Sequence, residues 1–139
     1  MDSHRRERLT RVMDAEGLDG LVATTTENLF YVTGFRSISH AIFRGAEFYA
    51  VFTRQGTGLV VPFIDTAGVA AEEIACDRVA PYGQFFFEYA DEPGVVGNKI
   101  RQWTASPARS AVTALAALLR EFGAHGKRIG VDEGTLFPQ

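Results

Sequence analysis

The chain alternates short apolar runs with amphipathic stretches. Between Ser3 and Glu16, Leu9, Val12 and Met13 fall on one helical face and arginines cover the rest, which predicts a surface helix over residues 3–16. Gly17 is placed to end it in the left-handed region, with Leu18 folding back onto it. Asp19-Gly20 turns the chain, and Leu21–Ala23 read as a short buried strand. Thr24 stands three residues before Glu27, the spacing of a capping box, so a short helix carrying Leu29, Phe30 and Val32 is expected, with Gly34 ending it. "EFYAVFT" (47–53), "RQGTG" and "LVVPF" predict an antiparallel hairpin over 47–62.

Asp65 is placed to cap a helix running through Ala75, with Val69, Ala70 and Ile74 inward. "DRVAPY" reads as a strand. Residues 83–105 read as a long irregular segment, aromatic and acidic. Ser106-Pro107 is a helix start, an N-cap followed by proline, and Val112, Leu115, Ala116, Leu119 and Phe122 recur at helical spacing up to Gly123. "KRIGVD" is a final strand. Helices alternating with strands, plus one hairpin, predict an α/β sandwich with a mixed sheet. The expected core is Leu9, Val12, Leu21, Val22, Val51, Val60, Ile74, Leu115, Leu119, Ile129 and Val131.

Composition narrows the function. The 139 residues suit one domain, and a hydrophobic fraction of 46% with 22% charged residues is ordinary for a globular protein. A formal net charge of −3 argues against nucleic-acid binding, which needs a basic face, and the arginines of "HRRERLTR" are interleaved with acids. No apolar run reaches membrane-spanning length and no secretory leader is visible, so a cytoplasmic protein with neither a membrane nor a nucleic-acid partner is expected. The single cysteine, Cys76, reads as a small half-buried apolar residue and not as a nucleophile.

The search for chemistry finds no complete set. His4, His40 and His125 share no metal-ligand spacing. "GTG" (56–58) reads as a hairpin turn and not as a nucleotide loop. Nothing orients a base onto Ser37 or Ser39. Asp132-Glu133 reads as a strand end or helix cap in preference to a metal site. Phe85, Phe87 and Tyr89 alternate within "YGQFFFEY": exposed together they would form an interface, buried together a core under a loop.

"RLTRVMDAEGLDGLVATTTENLFYVTGF" resembles the start of the creatinase/prolidase family of metallohydrolases, through Gly17, Leu18, Asp19, Asn28, Tyr31, Val32, Thr33, Gly34 and Phe35. "EFYAVFTRQGTGLVVP" and "KRIGVDEGTLF" resemble that family's hairpin and the strand before its interdomain linker. The resemblance implies the family's N-terminal domain: a three-layer α/β sandwich with a mixed sheet, a ribonuclease H-like motif and helices on both faces. It implies a non-catalytic module with no metal or cofactor of its own. A C-terminal pita-bread domain would follow, carrying two divalent metal ions in peptidase members. Expected partners are that catalytic domain and a second subunit, as a homodimer. The loop after Gly34-Phe35 is then expected to reach the partner subunit's active site, where Arg36, His40 and Arg44 would bind a substrate carboxylate. The parent is expected to be an Xaa-Pro dipeptidase-like metallopeptidase. The alternatives are a creatinase-like hydrolase of a non-peptide C–N bond or a free-standing oligomerisation or binding module.

Overall fold

The computed structural model describes residues 1–43, 45–72 and 74–132. Helix α1 spans Ser3–Glu16. The Asp2 carboxylate caps it by accepting from the Arg5 amide at 2.8 Å, and Gly17, at φ 61°, ends it while Leu18 N–H returns to the Met13 carbonyl. Strand β1 (Gly20–Ala23) leads into α2 (Thr26–Thr33) and the five-residue α3 (Ile38–Ile42). The hairpin β2 (Tyr49–Thr53) and β3 (Thr57–Pro62) follows, then a 3-10 turn (Phe63–Asp65) and α4 (Thr66–Ala71). Strand β4 (Arg78–Tyr82), α5 (Gly94–Trp103), α6 (Ala111–Glu121) and β5 (Ile129–Val131) complete the order.

The strands form one mixed sheet in the order β4-β3-β2-β1-β5. The central three are an antiparallel meander, with Val22 opposite Val51 and Val51 opposite Gly58. β4 joins β3 in parallel and β5 joins β1 in parallel. Strand alternation divides the core into two layers. Ala23, Ala50, Phe52, Leu59 and Val61 face Met13, Leu29, Val32, Phe35, Phe48 and Val69. Val22, Val51 and Val60 face Ala111, Ala114, Leu118 and Phe122 of α6. Helices therefore cover both faces, and the expected three-layer mixed α/β sandwich is what forms. "GTG" is a packing device: a Cβ on Gly56 would stand 2.7 Å from the Phe122 ring, and one on Gly58 would stand 2.8 Å from Leu118.

Several local expectations are corrected. Thr25, not Thr24, caps α2, its hydroxyl accepting from the Asn28 amide at 3.3 Å. Asp65 gives α4 no side-chain cap, and α4 stops at Ala71. Beyond it, Ala75 N–H bonds to the Thr33 carbonyl and Asp77 N–H to the Thr57 carbonyl, which draws the chain into extended form. The 83–105 segment is not irregular throughout, because α5 occupies its second half. Ser106-Pro107 does not start the next helix. Ala108 bridges to Tyr82 and exchanges backbone bonds with Pro81 and Gly83, so Ser110 is the cap that accepts from Thr113 N–H. Among the expected core residues, Val22, Val51 and Val60 are fully buried, and Leu9, Leu21, Ile74, Leu115, Leu119 and Ile129 are part-buried. Val12 and Val131 are exposed. Met13 and Leu9 set the inward face of α1, and Val131 lies at the lip of an apolar cleft of about 340 Å³ beside Leu18 and Leu21. Val112 is exposed too, because α6 packs through Ala111, Ala114 and Leu118.

Candidate functional site

The densest polar constellation lies at the carboxyl ends of the parallel neighbours β1 and β5. The Asp132 carboxylate accepts five hydrogen bonds. Thr24 donates its amide (2.7 Å) and hydroxyl (2.8 Å) to Oδ1. Thr25 donates its amide (3.1 Å) and hydroxyl (2.9 Å), and Asn28 its side-chain amide (2.9 Å), to Oδ2. Burial on its own would raise the pKa of this group. The bonds from Asn28, Thr25 and Thr24 together outweigh burial and hold it below the ordinary carboxylate value. An anion whose lone pairs are taken by five protein donors is a structural latch, and the cap reading of Asp132 stands over a metal ligand. Its neighbour Glu133 lies outside the described residues. Among the described residues, no group of three or more His, Cys, Asp or Glu side chains is arranged to share a metal ion.

The loop after α2 is built differently. Ser37 caps α3 through its hydroxyl, which accepts from the His40 amide at 3.1 Å and donates to Asp65 Oδ1 at 3.0 Å. The His40 ring packs against Phe48 with centroids 4.8 Å apart, and its Nδ1, like Asp65 Oδ2, is buried with no partner among the described residues. Burial pushes the imidazole pKa below its ordinary value, a backbone hydrogen bond at Thr24 and the charges of Glu27 and Asp65 offsetting this only in part. The net effect favours the neutral imidazole. Arg36 is exposed, and its guanidinium stacks 4.3 Å from the centroid of Phe30. Arg44 lies outside the described residues.

The alternation of Phe85, Phe87 and Tyr89 does bring the three rings into one row, with centroids 5.6 and 6.3 Å apart. Phe87 also stacks on Phe63 at 5.5 Å, and Arg101 covers Tyr89 at 4.6 Å. Phe87 and Tyr89 are half-buried, whereas Phe85 and its neighbour Phe86 are exposed. Burial pushes the Cys76 thiol up to about 12, with the Asp77 charge adding to it. That is a packing residue and not a nucleophile.

A profile described as the Creatinase/Prolidase N-terminal domain matches residues 5–138. The chain belongs to this family. Solved structures similar to it include the prolidase from Pyrococcus furiosus (20% identity over 54% of this chain and 20% of that chain, TM-score 0.40). Others are an XXA-pro aminopeptidase from Streptococcus pyogenes (16% identity, 94% of this chain and 91% of that one, TM-score 0.46) and the prolidase from Pyrococcus horikoshii OT3 (12%, 84% and 35%, TM-score 0.46). No curated protein matches the sequence. The matched part of this creatinase/prolidase N-terminal domain covers only about a fifth of the P. furiosus prolidase chain. No helix among the described residues is long and apolar enough to cross a membrane.

The residue that sequence reasoning undervalued is Asp132. The available signal was a Thr-Thr-x-x-Asn run after one apolar strand and a lone Asp after another. Only their parallel pairing, Val22 opposite Val131, puts donors and acceptor together.

Proposed function

We propose that this domain is the non-catalytic N-terminal module of an Xaa-Pro dipeptidase-like metallopeptidase. In this reading it helps to pair two copies of the parent protein and contributes to the rim of the partner subunit's active site. The observation that carries the reading is the family match over residues 5–138. The reading includes a separate catalytic domain holding two divalent metal ions, a cytoplasmic setting, and no membrane or nucleic-acid partner. Arg36 and Arg44 would meet a substrate carboxylate through guanidinium forks. His40, half-buried against Phe48, would add a contact from its ring and help to hold α3 in place.

The test uses the full-length protein. Arg36→Ala, His40→Ala and Arg44→Ala are compared with the parent on an Xaa-Pro dipeptide. A lost charge-assisted hydrogen bond of about 1.5–3 kcal/mol lowers kcat/KM roughly 10- to 100-fold. The loss appears in KM where ground-state and transition-state binding are equal. Unchanged kcat/KM in all three variants, with fold and association intact, refutes the rim. Activity on creatine and none on Xaa-Pro dipeptides replaces the peptidase reading with a creatinase-like one.

A further inference from the structure

Strand β5 gives the α1 side of the sheet no apolar side chain. Alternation sends Ile129 toward α6 and leaves Gly130 on the α1 side, where a Cβ would stand 2.8 Å from Leu18 and 2.9 Å from Leu21. Above this bare stretch of backbone lies the apolar cleft of about 340 Å³, walled by Leu9, Leu18, Leu21, Tyr31 and Val32 and ending at Asp132. Leu9, Leu18 and Leu21 stay half-buried although all three pack on the core cluster of that side. An apolar void of about 150 Å³ takes up a benzene ring, so this cleft has room for a phenyl ring and an aliphatic side chain together.

We propose that residues 133–139 fold back over β5 and that Leu136 and Phe137 fill this cleft. Three features select this segment as the occupant. The first is its point of departure. Asp132 lines the cleft and is pinned there, its carboxylate by Thr24, Thr25 and Asn28 and its amide by the Val22 carbonyl at 3.2 Å, so residue 133 starts at the end of the cleft. The second is reach. Gly130 lies two strand residues back from Asp132, about 7 Å, whereas Glu133–Leu136 can span up to about 13 Å. Gly134 accepts either sign of φ and so permits the reversal. The third is chemistry. "EGTLFPQ" carries two large apolar side chains, side by side, and one charged side chain, Glu133, at the end next to Asp132. A segment tethered this closely is present at an effective concentration on the order of millimolar, ahead of any free partner.

This inference goes beyond the proposed function and is independent of it, because it concerns contacts within one chain. The docked pair completes the apolar layer over β5 and sets the direction in which the polypeptide leaves the sheet. A failed activity test at Arg36, His40 and Arg44 leaves it standing, and its own failure leaves the family and the peptidase reading intact.

The experiment is methyl NMR on the 139-residue chain, with urea unfolding of variants beside it. Nuclear Overhauser contacts are expected from the Phe137 ring to the methyl groups of Leu9, Leu18 and Leu21. In a mixture of differently isotope-labelled chains, these contacts should stay within one chain. Phe137→Ser and Leu136→Ser should each lower the urea midpoint by about 0.5–1 M. Phe86→Ser, which deletes a ring that is 78% exposed, should leave the midpoint unchanged. A Phe137 ring without contacts to these methyl groups overturns the proposal. So do contacts found only between chains, which give the cleft to a second copy, and a midpoint indifferent to both Phe137→Ser and Leu136→Ser.

Discussion

Replacing Asp132 by alanine removes the acceptor for two amides, two hydroxyls and one carboxamide at once. These donors come from Thr24, Thr25 and Asn28, and they join the β1–α2 junction to the end of β5. A hydrogen bond to a charged group nets about 1.5–3 kcal/mol when water is excluded. Water reaches this carboxylate in part and would satisfy some of the released donors, so the five bonds do not add. A loss of about 2–4 kcal/mol is expected, a large share of the roughly 5–15 kcal/mol that holds a domain folded. In urea, at about 2 kcal/mol per molar, the midpoint should fall by about 1–2 M. Asp132→Asn keeps the shape but turns an NH₂ toward donors and should lose somewhat less.

The pH dependence gives an independent reading of the same latch. The folded pKa of Asp132 lies below its unfolded value, so folding favours the ionised form. The stabilisation is complete above the unfolded carboxylate value near about 4 and is lost as pH falls through the folded value. The asparagine variant should therefore show a shallower acid decline than wild type. If Asp132→Ala unfolds within about 0.5 kcal/mol of wild type, the hydrogen bonds are not holding the sheet. An asparagine variant with an undiminished acid slope would refute the assignment of that slope to this carboxylate.

Two further outcomes follow from the same structure. Ser110→Ala should cost about 1 kcal/mol in urea unfolding while Ser106→Ala costs almost nothing, because only Ser110 caps α6; equal effects would reject that start of the helix. Cys76, with its thiol pushed up to about 12, should be unreactive toward a disulfide reagent at pH 8 in the folded protein and react fully in denaturant, so rapid labelling of the native chain would contradict its burial.

The central architecture was legible because period and burial agree there. The hairpin and the final strand are written as apolar, β-rich runs, and α1 as a helical stripe, although Val12 of that stripe and Val131 of that strand turn out exposed. What was hidden depends on partners distant in sequence. With three consecutive threonines, a cap at Thr24 or Thr25 differs by one residue, and the Asp132 carboxylate that binds both of them lies more than 100 positions away in sequence, 108 from Thr24. Ser106-Pro107 carries a strong local start signal, but pairing of Ala108 with Tyr82 keeps that stretch extended. Helix α5 contains Gly94, Val95, Val96 and Gly97, all poor helix formers; its packing against α4 holds it, which no window of sequence displays. In the loop after α2, Arg36 and His40 were legible as polar residues, but the ring contact that buries His40 was not.

The parallel pairing of β1 with β5 also bears on how the chain folds as it is made. The meander β1–β2–β3 closes through near neighbours and can form while most of the polypeptide is still unsynthesised. The sheet edge beside β1 stays open, and the Thr24, Thr25 and Asn28 donors stay hydrated, until the stretch ending in Asp132 emerges. Joining strands this far apart costs loop entropy that grows only logarithmically with length, so the delay is one of timing and not of final stability. Nascent chains arrested before residue 129 should therefore carry a formed meander beside an unpaired β1 edge, exposed to any other strand until residues 129–131 emerge and pair with it.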